Sequence, residues 1–183
     1  MRFVTTPIIG AMIVELDIQS DARGHLARTF CEEEFSRAGI NMRIVQTNIS
    51  HNRKALTLRG LHYQAEPHGE PKIVQCVRGR IFDVAVDLRP QSPSYCRWTS
   101  VELSADSNQV FYIPPGCAHG FLTLEDNCDI VYLMGAPFAP ESGRGVRWND
   151  PAFGITWPAQ PQEISERDAH YSDFVRMGGK HVG

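Results

Sequence analysis

The sequence predicts an all-β sandwich or barrel with one or two short helices, and three observations predict it. Apolar residues recur in short runs that alternate with polar ones, the period of a half-buried strand. The runs are punctuated by 15 glycines and 12 prolines in 183 residues, ordinary numbers for turns between strands and too few for disorder. Only residues 31–38 (CEEEFSRA) read clearly as a helix: Glu32, Glu33 and Glu34 occupy its first turn and Gly39 supplies the stop.

The elements follow in order. Residues 13–30 (IVELDIQSDARGHLARTF) read as a strand, an Asp-Ala-Arg-Gly turn and a second strand. From residue 43 short strands succeed one another. Segments 72–77 and 80–88 flank Arg78-Gly79 and predict a compact hairpin. In the second of them Ile81, Asp83, Ala85 and Asp87 share one face, and Phe82, Val84, Val86 and Leu88 the other. One face is thus wholly apolar while the opposite one carries two acids. Further strands are predicted at 109–113 and 129–134, with Pro114-Pro115-Gly116 forming a stiff corner before His119. The stretch after Met134 is loop-rich, with Trp148 and Trp157, like Trp98, as packing anchors. A polar segment at 164–174 and a frayed tail at 178–183 close the chain.

Composition narrows the function. The chain is 42% hydrophobic and 21% charged, with 18 basic against 21 acidic residues for a net charge of −3. That balance excludes a nucleic-acid arm or a polybasic membrane patch. No apolar run approaches the roughly 20 residues of a membrane span, and residues 1–15 lack the pattern of a signal peptide. Five cysteines without a C-x-x-C pair make neither a zinc spacing nor a disulfide framework, which predicts a reducing, cytoplasmic home.

The chemistry-bearing residues cluster mid-chain: Leu58-Arg59-Gly60-Leu61-His62-Tyr63-Gln64, then Lys72, Asp83 and Pro114–Phe121. The stretch P-x-G-x-x-H ending at His119 matches the second half of the cupin barrel signature, so the fold expected is a cupin-type jelly-roll barrel. In the first half, H-x-H becomes His62-Tyr63-Gln64, which removes a histidine that a metal would need and predicts no metal. A metal-free pocket can still use histidine as a general base, provided an acid holds its tautomer. A nearby cation stabilises a developing oxyanion, and a tyrosine on the far wall returns a proton. That set suits proton abstraction beside a carbonyl. His25, His51, His68, His170 and His181 read as structural or solvated, and Asp83 either orients His119 or is structural.

The segments TLRGLHYQ, KIVQCVRGRIFDVAVDLRPQSPSY, FYIPPGCAHGFLTLED, RGVRWNDPAFGITWP and ISERD, in this order over nearly the whole chain, resemble the dTDP-4-dehydrorhamnose 3,5-epimerase family. The resemblance implies a cofactor-free jelly-roll homodimer that inverts C3 and C5 of a nucleoside-diphosphate 4-keto-6-deoxyhexose. It implies His62 as base, Asp168 as its carboxylate partner, Tyr132 as the acid on the other face and Lys72 at the enolate oxygen. It places Arg59 and His119 beside the sugar and diphosphate, adds Gln46, Asn48 and Arg167 as substrate contacts, and sends Arg23 into the neighbouring subunit's pocket. Phe138 stands where the family commonly stacks a tyrosine on the nucleobase. Arg28 and Gly143 replace residues that are usually acidic, with Glu141 close by. One domain is expected over residues 1–183, with its barrel core at about 43–135, strands within 1–30 at a dimer interface and residues 136–177 packed over the barrel. A single-site 3-epimerase, a 3,4-ketoisomerase, a metal-dependent cupin and a non-catalytic nucleotide-sugar sensor remain alternatives on the same barrel.

Overall fold

The structure, a computed structural model, describes residues 1–177. The tail expected at 178–183, with His181, lies outside the described residues. The described residues form fourteen strands and two short α-helices: β1 (Arg2–Thr5), β2 (Met12–Glu15), β3 (Ile18–Asp21), β4 (Gly24–Ala27), α1 (Glu32–Arg37), β5 (Gln46–Asn52), β6 (Thr57–Gln64), β7 (Lys72–Arg78), β8 (Arg80–Asp87), β9 (Trp98–Ser104), β10 (Gln109–Ile113), β11 (Cys117–Thr123), β12 (Cys128–Met134), β13 (Gly143–Gly145), β14 (Glu163–Ile164) and α2 (Glu166–Ala169). One sheet has the order β1-β2-β10-β7-β12-β5, and the other β13-β6-β11-β8-β9 with β14 added beside β6. β3 and β4 form a separate two-stranded ribbon. The predicted jelly roll is the fold observed.

Strand alternation decides what each face does. Ile81 and Ala85 on β8, Val74 and Cys76 on β7, Phe111 and Ile113 on β10, and Ile130 on β12 meet between the sheets as one buried cluster. A fully buried Leu103 or Ile130 stabilises such a core by about 2 kcal/mol. The apolar face read on β8 turns outward: Val84, Val86 and Leu88 pack beneath Phe153 and Val146, with Trp98, Trp148 and Trp157 as the expected anchors. On the other sheet Ile73, Val14 and Val110 are covered by Phe35 of α1 and by Ile40 and Met42. This sheet includes β1 and β2, upstream of residue 43.

The hairpin expected around Arg78-Gly79 is not formed. β7 and β8 lie in different sheets, so Arg78-Gly79 is a corner between layers rather than a turn between partners. Each strand is largely buried on both faces. Alternation identified two strands but carried no information about which neighbour each would pair with. Gly79 turns this corner with φ +75 against Cys128, a conformation that favours glycine.

The second acid of β8, Asp87, anchors a loop. Its carboxylate accepts from Arg89 Nε at 2.8 Å, Ser92 Oγ at 2.5 Å and Ser94 Oγ at 2.6 Å, while Arg89 Nη2 donates to the Ile9 carbonyl at 2.7 Å. Burial opposes ionisation, but the bonds from Arg89, Ser92 and Ser94 outweigh it and lower the pKa from 3.8 to about 2. A depressed carboxylate contributes stability above its unfolded value and loses it as pH falls through the folded one. This group should therefore add about 2 kcal/mol that is complete above pH 4 and lost towards pH 2. In Asp87→Asn that part of the acid dependence should vanish in urea melts recorded at pH 3 and pH 7.

Candidate active site

The site forms where polar side chains replace the core at one end of the space between the sheets. β11 pairs antiparallel with β6 so that His119 lies opposite His62. Gly60 and Gly120 make this crossing tight: a Cβ on Gly120 would lie 2.7 Å from the Arg59 carbonyl and 3.1 Å from Gly60 Cα, both backbone. Gly120→Ala should cost about 2 kcal/mol by forcing the strands apart. That is roughly 4–8 °C in Tm by calorimetry, and activity should fall with it because both histidines flank the contact. From the facing sheet β7 contributes Lys72 and β12 contributes Tyr132. Together with Asn48, Arg59, Arg167 and Asp168 these residues line a cavity of about 880 Å³, a size suited to a small-molecule site.

The C-terminal segment completes the wall. β14 runs parallel to the start of β6, pairing Ile164 with Leu58. The chain then enters α2, where the Ser165 side chain accepts from the Asp168 N–H at 3.1 Å as an N-cap. This turn brings Asp168 to His62 across more than a hundred residues. His62 Nε2 lies 2.7 Å from Asp168 Oδ1, and Asp168 Oδ2 accepts from the Gly60 N–H at 3.1 Å. The carboxylate is 4% exposed and the imidazole 37%. Burial would raise the Asp168 pKa, but the bonds from His62 and Gly60 and the charges of His62 and Arg167 lower it overall. Arg167 Nη2, which can only donate, lies 3.1 Å from the same Nε2, so one ring nitrogen meets both the carboxylate and the guanidinium.

A second pair lies deeper. His119 Nε2 is 2.6 Å from Asp83 Oδ1, at 5% and 0% exposure. Asp83 is the inward acid read on β8, and it does contact His119. Burial pushes its carboxyl upward against the opposing influence of His119 and Lys72, and its Oδ2 has no hydrogen-bond partner among the described residues. The Tyr132 ring meets His119 edge-on at 5.9 Å between centroids. Burial first, and the Asp83 charge second, raise the Tyr132 phenol well above its ordinary value, with Arg59 opposing them. The phenol therefore keeps its proton throughout the neutral range.

Gln64, which stands where a metal cupin would place its second histidine, is occupied elsewhere. Its Nε2 donates to the His68 and Pro137 carbonyls at 3.0 and 3.1 Å, and its Oε1 accepts from the Ala139 N–H at 2.6 Å. The amide clamps two loops together. Among the described residues no three His, Cys, Asp or Glu side chains gather as a metal-binding group.

Of the other residues singled out from sequence, Asn48, Arg59, His119 and Arg167 line the cavity, whereas Arg23, Gln46 and Phe138 do not. Arg23 sits at the tip of the β3–β4 ribbon, paired with Asp21 at 3.1 Å. Gln46 starts β5 opposite Met134, and Phe138 is 66% exposed. Arg28 pairs with Glu34 of α1 at 3.1 Å.

Several residues at the site were not singled out from sequence. His51, read as structural or solvated, lines the cavity and lies 2.6 Å from Asp129. Asn52 accepts from Arg59 Nε at 2.7 Å and so aims that guanidinium. Glu70 pairs with Lys72 at 3.0 Å. The Tyr171 ring stands edge-on to His62 at 6.3 Å. The spacing Ser165-x-x-Asp168, a helix-start pattern, was the signal available for the Asp168 cap.

Comparison with known proteins agrees with this geometry. The family profile described as dTDP-4-dehydrorhamnose 3,5-epimerase matches residues 5–175. The dTDP-4-dehydrorhamnose 3,5-epimerase of Methanothermobacter thermautotrophicus is 44% identical over 174 residues, 93% of this chain and 92% of that one. A crystal structure of dTDP-4-dehydrorhamnose 3,5-epimerase from Bacillus anthracis with TDP and PPi bound superposes with a TM-score of 0.91 at 32% identity, covering 94% of this chain and 99% of that one. ChmJ, a 3'-monoepimerase from Streptomyces bikiniensis in complex with dTDP-quinovose, superposes at 0.83 and 36% identity, over 90% and 84% of the two chains. With a matching profile across most of its length, relatives above 40% identity and a shared cupin jelly roll, the chain belongs to the dTDP-4-dehydrorhamnose 3,5-epimerase family of isomerases.

Proposed function

We propose that the protein inverts C3 and C5 of a dTDP-linked 4-keto-6-deoxyhexose by removing and replacing the protons beside its C4 ketone. The observation that carries this reading is the 2.7 Å contact between His62 and Asp168 at the cavity wall. His62 takes the C–H proton, and Asp168 stabilises the imidazolium that results. Lys72 meets the negative charge that develops on the C4 oxygen. Tyr132 stands on the facing sheet, and its protonated phenol delivers a proton to the opposite face of the enolate. Arg59 and Arg167 provide cations for the diphosphate. The scheme uses no cofactor.

Homodimerisation completes the proposal. The β3–β4 ribbon holds Leu26 at 70% exposure, an apolar surface that a second copy would cover, and its tip would carry Arg23 to the partner's cavity. A cytoplasmic setting is consistent with five free thiols. No helix among the described residues is long and apolar enough to cross a membrane.

The test is turnover of dTDP-4-dehydro-6-deoxyglucose in heavy water, with a GDP-linked 4-keto sugar as control. Proton NMR should show deuterium at both C3 and C5 of the product and no reaction of the GDP sugar. A second reading, inversion at C3 alone, has support from the 36% identity to the 3'-monoepimerase, and it predicts inversion at C3 with retained configuration at C5. Binding without any deuterium uptake would overturn both.

A further inference from the structure

Lys72 and Glu70 form a largely buried ion pair beside the cavity. Its Nζ lies 3.0 Å from Glu70 Oε1, and each side chain is 7% exposed. Glu70 does not line the cavity, whereas Lys72 does. The carboxylate therefore approaches the ammonium from the protein side and leaves its other side open to a ligand.

The backbone dictates this approach. Pro71 separates the two residues and biases Glu70 towards an extended conformation, in which positions i and i+2 project to the same side. The Gly135 N–H donates to the Pro71 carbonyl at 2.8 Å, and the missing side chain of Gly135 leaves room for the proline ring, whose Cγ would lie 2.6 Å from a Cβ there. Upstream, Gln64 clamps the loop through the His68 carbonyl, and the Ala65 N–H donates to the Ser142 carbonyl at 2.8 Å. Glu70 is thus held from both ends of its loop.

We propose that Glu70 is a positioning residue for the epimerisation, fixing Lys72 Nζ as an immobile donor where the enolate oxygen forms. This rests on the assignment of Lys72 to that oxygen. A lysine has four rotatable bonds, so an untethered ammonium samples many positions. A rigid carboxylate behind it removes that freedom before substrate arrives, which is the condition for strong transition-state stabilisation. Asp83 is within electrostatic reach of Lys72 but is paired through Oδ1 with His119, and the ion pair that Lys72 makes is with Glu70.

The test is a double-mutant cycle on the full chain with Glu70→Gln, Lys72→Met and the pair together, reading kcat, KM, dTDP affinity by calorimetry and Tm. Glu70→Gln should lower kcat roughly 10- to 100-fold, with KM and dTDP affinity within about threefold of the parent protein because the nucleotide does not depend on Lys72. The double variant should be no slower than Lys72→Met, since Glu70 acts only through the lysine. Glu70→Asp, which keeps the charge, should recover part of the loss. Parental kcat in Glu70→Gln, multiplying losses in the double variant, or a loss shared equally by dTDP affinity would overturn the assignment of Glu70. Parental kcat in Lys72→Met would instead overturn the reading of Lys72 itself.

Discussion

His62→Ala is expected to lower kcat by about 10³- to 10⁴-fold, the range for loss of a positioned general base, while dTDP still binds within a few-fold of the parent affinity. The two readouts separate because His62 is the proposed base, whereas Arg59 and Arg167, which also line the cavity, are the cations proposed for the diphosphate. His62 is partly exposed and is surrounded by cavity, so truncation leaves no large void in packed core. Its removal also leaves Asp168 with the Gly60 N–H and the Arg167 Nε at 3.4 Å as partners, which limits the structural penalty. Steady-state kinetics beside calorimetric titration with dTDP would measure both. A kcat within tenfold of the parent would remove His62 from the role of base.

Tyr132→Phe is expected to separate exchange from inversion. The ring packs against the inter-sheet core and edge-on to His119, and phenylalanine preserves both contacts. Only the hydroxyl is lost, and with it the proton donor proposed on the wall facing His62. The variant should still wash deuterium into the substrate, because His62 can return a deuteron to the face from which it took a proton. Inversion, at C5 at least, should fall by about 10²-fold or more. Chiral assignment of the product by NMR coupling constants would read the outcome. Unchanged inversion would place the second proton donor elsewhere in the cavity.

Sequence made different parts of this molecule legible to different degrees. Period-two alternation on 80–88 separated an apolar face from one carrying two acids, and the split is observed because alternation is a local consequence of the pleat; which face turns outward became visible only in the fold. The corner at Arg78-Gly79 was misread as a hairpin for the complementary reason: pairing partners depend on the whole chain, and β7 and β8 enter different sheets. His62 and His119 stood out through strand-borne motifs, and the register between β6 and β11 places them side by side. Asp168 was different. On composition alone it is a polar residue in a surface-like segment, and its burial depends on β14 docking beside β6 and on the Ser165 cap. Only a family resemblance could point to it. Glu70 and Asn52 escaped notice because each acts behind another residue: their neighbours Lys72 and Arg59 carry the visible charge, and the contacts that restrain them exist only after folding.

Arg23 needs a second subunit for its proposed role. Its ion pair with Asp21 and its place at the ribbon tip follow from the Asp-Ala-Arg-Gly turn, yet the residue stands outside the cavity of its own subunit. Its proposed partner surface belongs to a second copy, whose approach no local pattern in 13–30 specifies.

The central step is removal of a proton from carbon by an imidazole, and hydrogen exchange reports that step without requiring complete turnover. dTDP-4-dehydro-6-deoxyglucose should be incubated in heavy water with the parent protein and with His62→Ala, following loss of the C3–H signal by proton NMR. The parent should exchange that proton within the time of turnover and the variant should not exchange it above the protein-free rate. Exchange by His62→Ala at a rate near that of the parent would contradict the account.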